Sequence, residues 1–170
     1  MRVSFSGKRG SEEIHGCKGL ILKRYLFLFF IALMILAGCA PKQVKIYDQD
    51  LQLRNNIVRT AVEMHGKPYR SGAKGPDAFD CSGFIYYVYK RWGIILPVNT
   101  EGLMKVGYSI GRYNIRPGDI VIFRIKKALH SGIMLNRNEF IHASSSRGVA
   151  IDNTEDPYWK KSIIGYRSVL

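Results

Sequence analysis

Apolar residues follow several different rhythms along this chain. From 25 to 36 they run without a charge, directly behind Lys23-Arg24. From 51 to 65 they recur at helical spacing as Leu53, Ile57, Val58, Ala61, Val62 and Met64, which predicts an amphipathic helix closed by Gly66. Phe84, Ile85, Tyr87, Val88 and Trp92 keep the same period and stop at Gly93, predicting a second helix from Cys81 to about 92. Leu96-Pro97-Val98-Asn99 breaks the pattern, and Thr100 is placed to cap a short helix reaching 106. Beyond the turn Arg116-Pro117-Gly118-Asp119 the rhythm shortens into strands over 120–125, 130–135, 140–144, 149–153 and 163–170. Helices first and strands afterwards is an α+β order, with N-terminal helices packed on an antiparallel sheet. Residues 40–49 carry no period and read as a polar tether. The chain therefore parses into a leader over 1–38, a tether over 39–49 and one domain over 50–170, long enough to bury a core.

The leader has a chemistry of its own. Its apolar run of roughly fourteen residues is shorter than the ~20 a membrane-spanning helix needs, and it ends in small residues, as an export signal does. Leu36-Ala37-Gly38-Cys39 resembles a bacterial lipobox, which implies that Cys39 is diacylated and becomes the mature N-terminus. Residues before about 22 are polar and glycine-rich, more than such a signal requires, and read as lying upstream of the true start. Net charge is +13, and +9 remains once the six basic and two acidic residues ahead of Cys39 are set aside. Such a surface suits nucleic acid, an anionic wall or a membrane. No reading helix or aromatic RNA platform is recognisable, and export argues against nucleic acid.

Export also changes what the cysteines mean. Cys17 falls in the leader and Cys39 would carry lipid, which leaves Cys81 alone. Exported proteins usually pair their thiols or lack them, so a lone one is a candidate nucleophile. The commoner fate of a free cysteine is that of a small buried hydrophobe. Position favours the first reading: at the first turn of a helix, unpaired N–H groups and the macrodipole favour an anion. A cysteine nucleophile needs a base, and the base an orienting partner. Beyond the leader the histidines are His65, His130 and His142. His65 ends a predicted helix and reads as a surface residue. Two residues of a hairpin share a face when their numbers sum to the parity of the paired positions. A three-residue loop at Asn136-Arg137-Asn138 therefore sets His130 and His142 on one face, against which the Cys81 helix would pack. Singly, each histidine would read as a satisfied polar residue; the pair with a lone thiol points to catalysis. Zinc is the other use of two histidines and a cysteine, but close ligand spacing is missing, and no metal or cofactor is expected.

Gly66-Lys67-Pro68-Tyr69, Phe79-Asp80-Cys81-Ser82-Gly83-Phe84, Arg116-Pro117-Gly118-Asp119, His130-Ser131-Gly132-Ile133 and Phe140-Ile141-His142-Ala143 occur in that order across nearly the whole mature chain. Together they resemble the NlpC family of cell-wall cysteine peptidases. Asp156-Pro157-Tyr158-Trp159-Lys160-Lys161 and the closing Arg167-Ser168-Val169-Leu170 are similar to its Spr (MepS) branch of lipoprotein murein endopeptidases. The resemblance implies a papain-like NlpC-type α+β fold and hydrolysis of peptidoglycan stem peptides. It implies Cys81 as nucleophile, His130 as base and His142 as the third, orienting member. Tyr69 matches a loop tyrosine that borders the site and helps hold the oxyanion. Asp80 and Ser82 match positions that contact substrate in relatives, although Asp80 is equally placed to cap the helix.

The Spr-like tail implies cleavage of the D-alanyl–meso-diaminopimelyl cross-link, whereas the broader family often cuts γ-D-glutamyl–diaminopimelate. A third reading, a non-catalytic wall-binding lipoprotein, predicts loss of a catalytic residue, and all three are present. Two positions depart from the family pattern: Ser131 stands where Val is usual and Val98 where Arg is usual, both bearing on the cleft. Ala40 after the acylated Cys39 suits an outer-membrane lipoprotein facing the periplasm. The partners expected are peptidoglycan and, through lipid, the membrane; a monomer is expected.

Overall fold

A computed structural model describes residues 23–31 and 42–170. The lipobox with Cys39, and the segment before 22, lie outside the described residues. The chain divides into two compact units, Met1–Val44 and Lys45–Leu170. In the first, residues 23–31 are helical with exposed side chains. No helix among the described residues is long and apolar enough to cross a membrane.

Helix α1 spans Lys42–Glu63 and so starts nine residues ahead of its apolar stripe. Residues 42–50 contain neither Gly nor Pro, and a helix once nucleated extends through polar residues without an apolar face. Most of the expected tether is therefore helical. The stripe buries Ile57 and Ala61, but also Arg54, which is 1% exposed. Its guanidinium meets Asp119 Oδ1 at 2.9 Å and Asp50 Oδ1 at 3.1 Å, and donates to the Pro117 carbonyl and Ser168 Oγ. The Arg-Pro-Gly-Asp turn is thus also an anchor for α1.

Helix α2, Cys81–Lys90, follows the glycine-rich loop. Its N-cap is Asp80, whose Oδ1 accepts from Gly83 N at 2.6 Å while Oδ2 accepts from Gly72 N at 3.0 Å. One carboxylate therefore satisfies an orphan helix donor and ties down the preceding loop. Gly83 is required for a different reason: a Cβ there would sit 2.2 Å from the Ala73 carbonyl oxygen. Helix α3 is shorter than expected, Thr100–Leu103, and is capped one residue earlier, by Asn99 accepting from Gly102 N at 2.7 Å. With its capping duty taken over, the Thr100 hydroxyl turns inward.

Among the described residues six strands form one antiparallel sheet in the order β1-β6-β2-β3-β4-β5. They are β1 Tyr108–Ile110, β2 Ile120–Ile125, β3 Ala128–Met134, β4 Glu139–Ser144, β5 Gly148–Asn153 and β6 Ile163–Ser168, with a helical turn, α4, at Pro157–Lys160. The edge strand β1 pairs with β6 and is absent from the sequence reading, because three residues are too few to show alternation.

Strand alternation gives the sheet two unlike faces. Ile120, Ile122, Ile133, Ile141 and Ala143 form an aliphatic face, on which Phe84, Ile85 and Val88 of α2 pack. Val121, Phe123, Met134, Phe140 and Tyr166 form the other, closed by Trp159 from α4.

Candidate active site

The β3–β4 hairpin turns through Asn136-Arg137-Asn138, with Leu135 N donating to the Glu139 carbonyl, as the parity argument requires. His130 and His142 consequently share a face. That face is the aromatic one: His130 pairs across from Phe123, and His142 packs edge-on against Trp159 with ring centroids 4.9 Å apart. The expectation that α2 lies against the histidine face does not hold. The helix needs branched aliphatic partners, and these occupy the alternate strand positions. Cys81, at its first residue, nevertheless opens into the same cavity as the histidines. That cavity, about 480 Å³, is lined by Tyr69, Cys81, His130, His142, Tyr158 and Trp159, with residues 144–147 at its rim.

Local strand geometry makes room for the pair. β3 and β4 are in register only at Ile133–Ile141 and Met134–Phe140, so the ladder stops just short of the histidines. Gly132 stands at the point of divergence, where a Cβ would lie 2.7 Å from the Phe140 ring and 3.3 Å from His142 Cβ. The gap lets His130 Nε2 reach His142 Nδ1 at 2.7 Å. His142 is 1% exposed, and its other nitrogen, Nε2, lies 2.8 Å from Asp152 Oδ2 on β5. Arg147, on the β4–β5 turn, donates to that same oxygen.

Cys81 is partly exposed and is the free cysteine among the described residues. Its sulfur lies 3.7 Å from Thr100 Oγ1, which in turn lies 3.4 Å from the buried Ser131 Oγ. Sulfur and imidazole share the cavity, but the thiol's hydrogen-bond partner here is Thr100 rather than His130. Tyr69 borders the cavity; burial first, and then the charges of Cys81 and Asp80, push its phenol upward, so it stays a protonated donor. The Asp80 carboxylate is occupied by the cap and loop bonds. Ser82 is buried and donates to the Val98 carbonyl at 2.9 Å, whereas Asp80 is partly exposed. His65 is exposed and is not one of the residues lining the cavity. Among the described residues no group of three or more His, Cys, Asp or Glu is arranged to hold a metal ion.

The electrostatics keep both rings neutral. Burial, reinforced by His142 and opposed by Asp152, pushes His130 down to about 3. Burial also lowers His142, against the hydrogen bond and charge of Asp152. For Asp152 burial alone would raise the carboxyl, but the hydrogen bonds from Arg147 and His142 hold it below its ordinary value. An unfolded histidine takes up a proton near pH 6.5, whereas folded His130 declines one until about 3. Lowering pH through that window therefore favours unfolding, by about 1.4 kcal/mol per pH unit from His130, with His142 acting in the same direction. Scanning calorimetry should show a Tm that is level above pH 7 and falls between pH 6.5 and 5, less steeply in His130→Asn. A level Tm across that interval would contradict the buried, neutral pair.

Sequence reasoning assigns no site role to Asp152, Arg147, Thr100 or Trp159. Asp152 was within reach: 142 and 152 have the same parity, and the β4–β5 turn, with Ser144 opposite Gly148, is again three residues.

The model described as the NlpC/P60 family matches residues 66–168. The protein named murein DD-endopeptidase MepS/murein LD-carboxypeptidase, of Escherichia coli strain K12, is 36% identical over 124 residues, covering 72% of this chain and 66% of that one. The probable endopeptidase NlpC of the same strain is 32% identical over 144 residues, covering 79% and 93%. Among solved structures, the NlpC/p60 domain of the peptidoglycan hydrolase SagA matches with a TM-score of 0.60 at 27% identity, over 68% of this chain and 97% of that one. The fold is the papain-like α+β arrangement of these domains.

Proposed function

This chain belongs to the NlpC/P60 family, and from that premise we propose that it is a cysteine-type murein endopeptidase cutting stem peptides of peptidoglycan. One observation carries the reading. A free thiol at a helix N-terminus opens into the same cavity as an imidazole whose Nε2 is bonded, through His142, to a carboxylate. Nucleophile, base and orienting partner are the components acyl transfer requires.

In the proposed cycle Cys81 is the nucleophile, His130 the base and His142 the group that orients it. Rotation about the Cys81 Cα–Cβ bond moves sulfur from Thr100 toward the His130 nitrogen that His142 leaves free. Since His130 is neutral, it takes the thiol proton as sulfur adds to the scissile carbonyl, rather than waiting as half of an ion pair. The Cys81 backbone N–H, unpaired at the start of α2, and the Tyr69 hydroxyl receive the oxyanion. His130 then protonates the leaving amine, and water releases the acyl group from sulfur.

The D-alanyl–meso-diaminopimelyl cross-link is the proposed bond. The relative named a DD-endopeptidase supports it, together with the Spr-like tail. The chain is proposed to reach the wall as a lipoprotein acylated on Cys39 and held at the periplasmic face of the outer membrane. The +9 charge beyond the leader suits an anionic wall. Mass spectrometry tests both halves. Digested sacculi should lose cross-linked dimers and gain intact tetrapeptide monomers; shortened stems would replace this bond by γ-D-glutamyl–diaminopimelate. The protein isolated from envelopes should have the mass of a diacylated chain starting at Cys39, and an unacylated mass would remove the anchor.

A further inference from the structure

We infer that Asp152 is a positioning residue, which through His142 dictates which nitrogen of His130 carries the lone pair offered to Cys81. The purpose of this arrangement rests on the endopeptidase reading; the placement of protons does not.

The chain of hydrogen bonds has a direction. A carboxylate only accepts, so the 2.8 Å contact between Asp152 Oδ2 and His142 Nε2 must carry its proton on nitrogen. Burial keeps His142 neutral, and a neutral imidazole protonated at Nε2 is bare at Nδ1. The 2.7 Å contact between His142 Nδ1 and His130 Nε2 needs one proton, which now comes from His130. His130 is therefore protonated at Nε2, and its lone pair is left on Nδ1, outside the chain and available to the thiol. Arg147, donating to the same Asp152 oxygen, keeps the carboxylate ionised and so keeps the polarity from reversing.

Without the charge, the opposite arrangement becomes accessible. His142 would carry its proton on Nδ1 and donate it to His130 Nε2, placing the His130 proton on Nδ1. In that tautomer the base faces the sulfur with an N–H and cannot accept its proton. An asparagine at 152 allows this, because its amide can donate to His142 Nε2 as well as accept from it. Holding the tautomer of a catalytic histidine is worth several powers of ten where it has been removed elsewhere.

The test is nitrogen-15 NMR of the uniformly labelled wild-type chain and of Asp152→Asn, near pH 8, with steady-state kinetics on muropeptide dimers. Wild-type rings of His130 and His142 should each show a protonated Nε2 and a bare Nδ1. Asp152→Asn should show the second tautomer on both rings, with kcat lowered about 10²-fold or more and KM little changed. A wild-type His130 protonated at Nδ1 overturns the inference, as does an Asp152→Asn variant that keeps both tautomers and its kcat. If that variant does not fold, judged from its amide spectrum, the wild-type ring spectrum decides alone. Should the wild type cut no muropeptide, the endopeptidase reading fails while the ring spectrum still decides the proton chain. Cleavage together with the other tautomer would sink only the role of Asp152.

Discussion

Replacing Cys81 with alanine should abolish lysis of purified sacculi, with kcat/KM falling by at least about 10³-fold, while the fold survives. The size of the loss follows from the chemistry. Among the described residues no other thiol lies in the cavity, and His130, neutral at rest, would have only water to activate. The structural cost should be small, because among the described residues the sulfur's polar contact is Thr100 Oγ1, at 3.7 Å, and the side chain is partly exposed. A Tm within a few degrees of wild type would fit a loss below about 1 kcal/mol. Substantial lysis by a folded Cys81→Ala protein would end the proposal that this sulfur forms the acyl intermediate.

Arg54→Ala should be the most damaging substitution away from the cavity. Asp119 is 1% exposed and meets Arg54 at 2.9 Å; Ser168 Oγ and Arg116 N also donate to it, but neither carries charge. Removing the guanidinium leaves a buried carboxylate without its counter-ion, and frees the Pro117 carbonyl and Ser168 Oγ as well. Breaking one side of such a pair costs about 3–5 kcal/mol. Denaturant titration should report a loss of that size with an unchanged m-value. The double variant Arg54→Met/Asp119→Leu should recover much of it, since no charge is then stranded. A single variant as stable as wild type would show that Asp119 finds other partners.

Arg54 also shows where reading residues in order falls short. It stands three residues before Ile57 and seven before Ala61, on the buried stripe, and a lone charge there implies a buried partner. The partner is 65 residues away in sequence, inside a turn whose sequence gives no sign of a buried ion pair. The histidine pair was accessible because hairpin parity is arithmetic within twenty residues, and the same arithmetic extends to Asp152. What parity cannot supply is which face a distant helix will cover. Assigning α2 to the histidine side failed for that reason: the aliphatic residues that receive it alternate with the histidines on the same strands. Asp80 illustrates the converse. Its two sequence readings, cap and substrate contact, are separated only by seeing Gly72 and Gly83 on its oxygens. Local chemistry was legible; long-range pairing was not.

The two faces of the sheet make stability and turnover separately adjustable. Ile133, Ile141 and Ala143 answer to helix α2, while their strand neighbours Gly132, Phe140 and His142 shape the proton chain. Every second substitution along β4 thus belongs to a different trait, whereas on β3 Ser131, on the aliphatic side, still reaches the thiol through Thr100. A lineage, or a directed-evolution library, can harden this protein through the aliphatic positions and leave its reaction untouched, with only one peptide unit between the two sets.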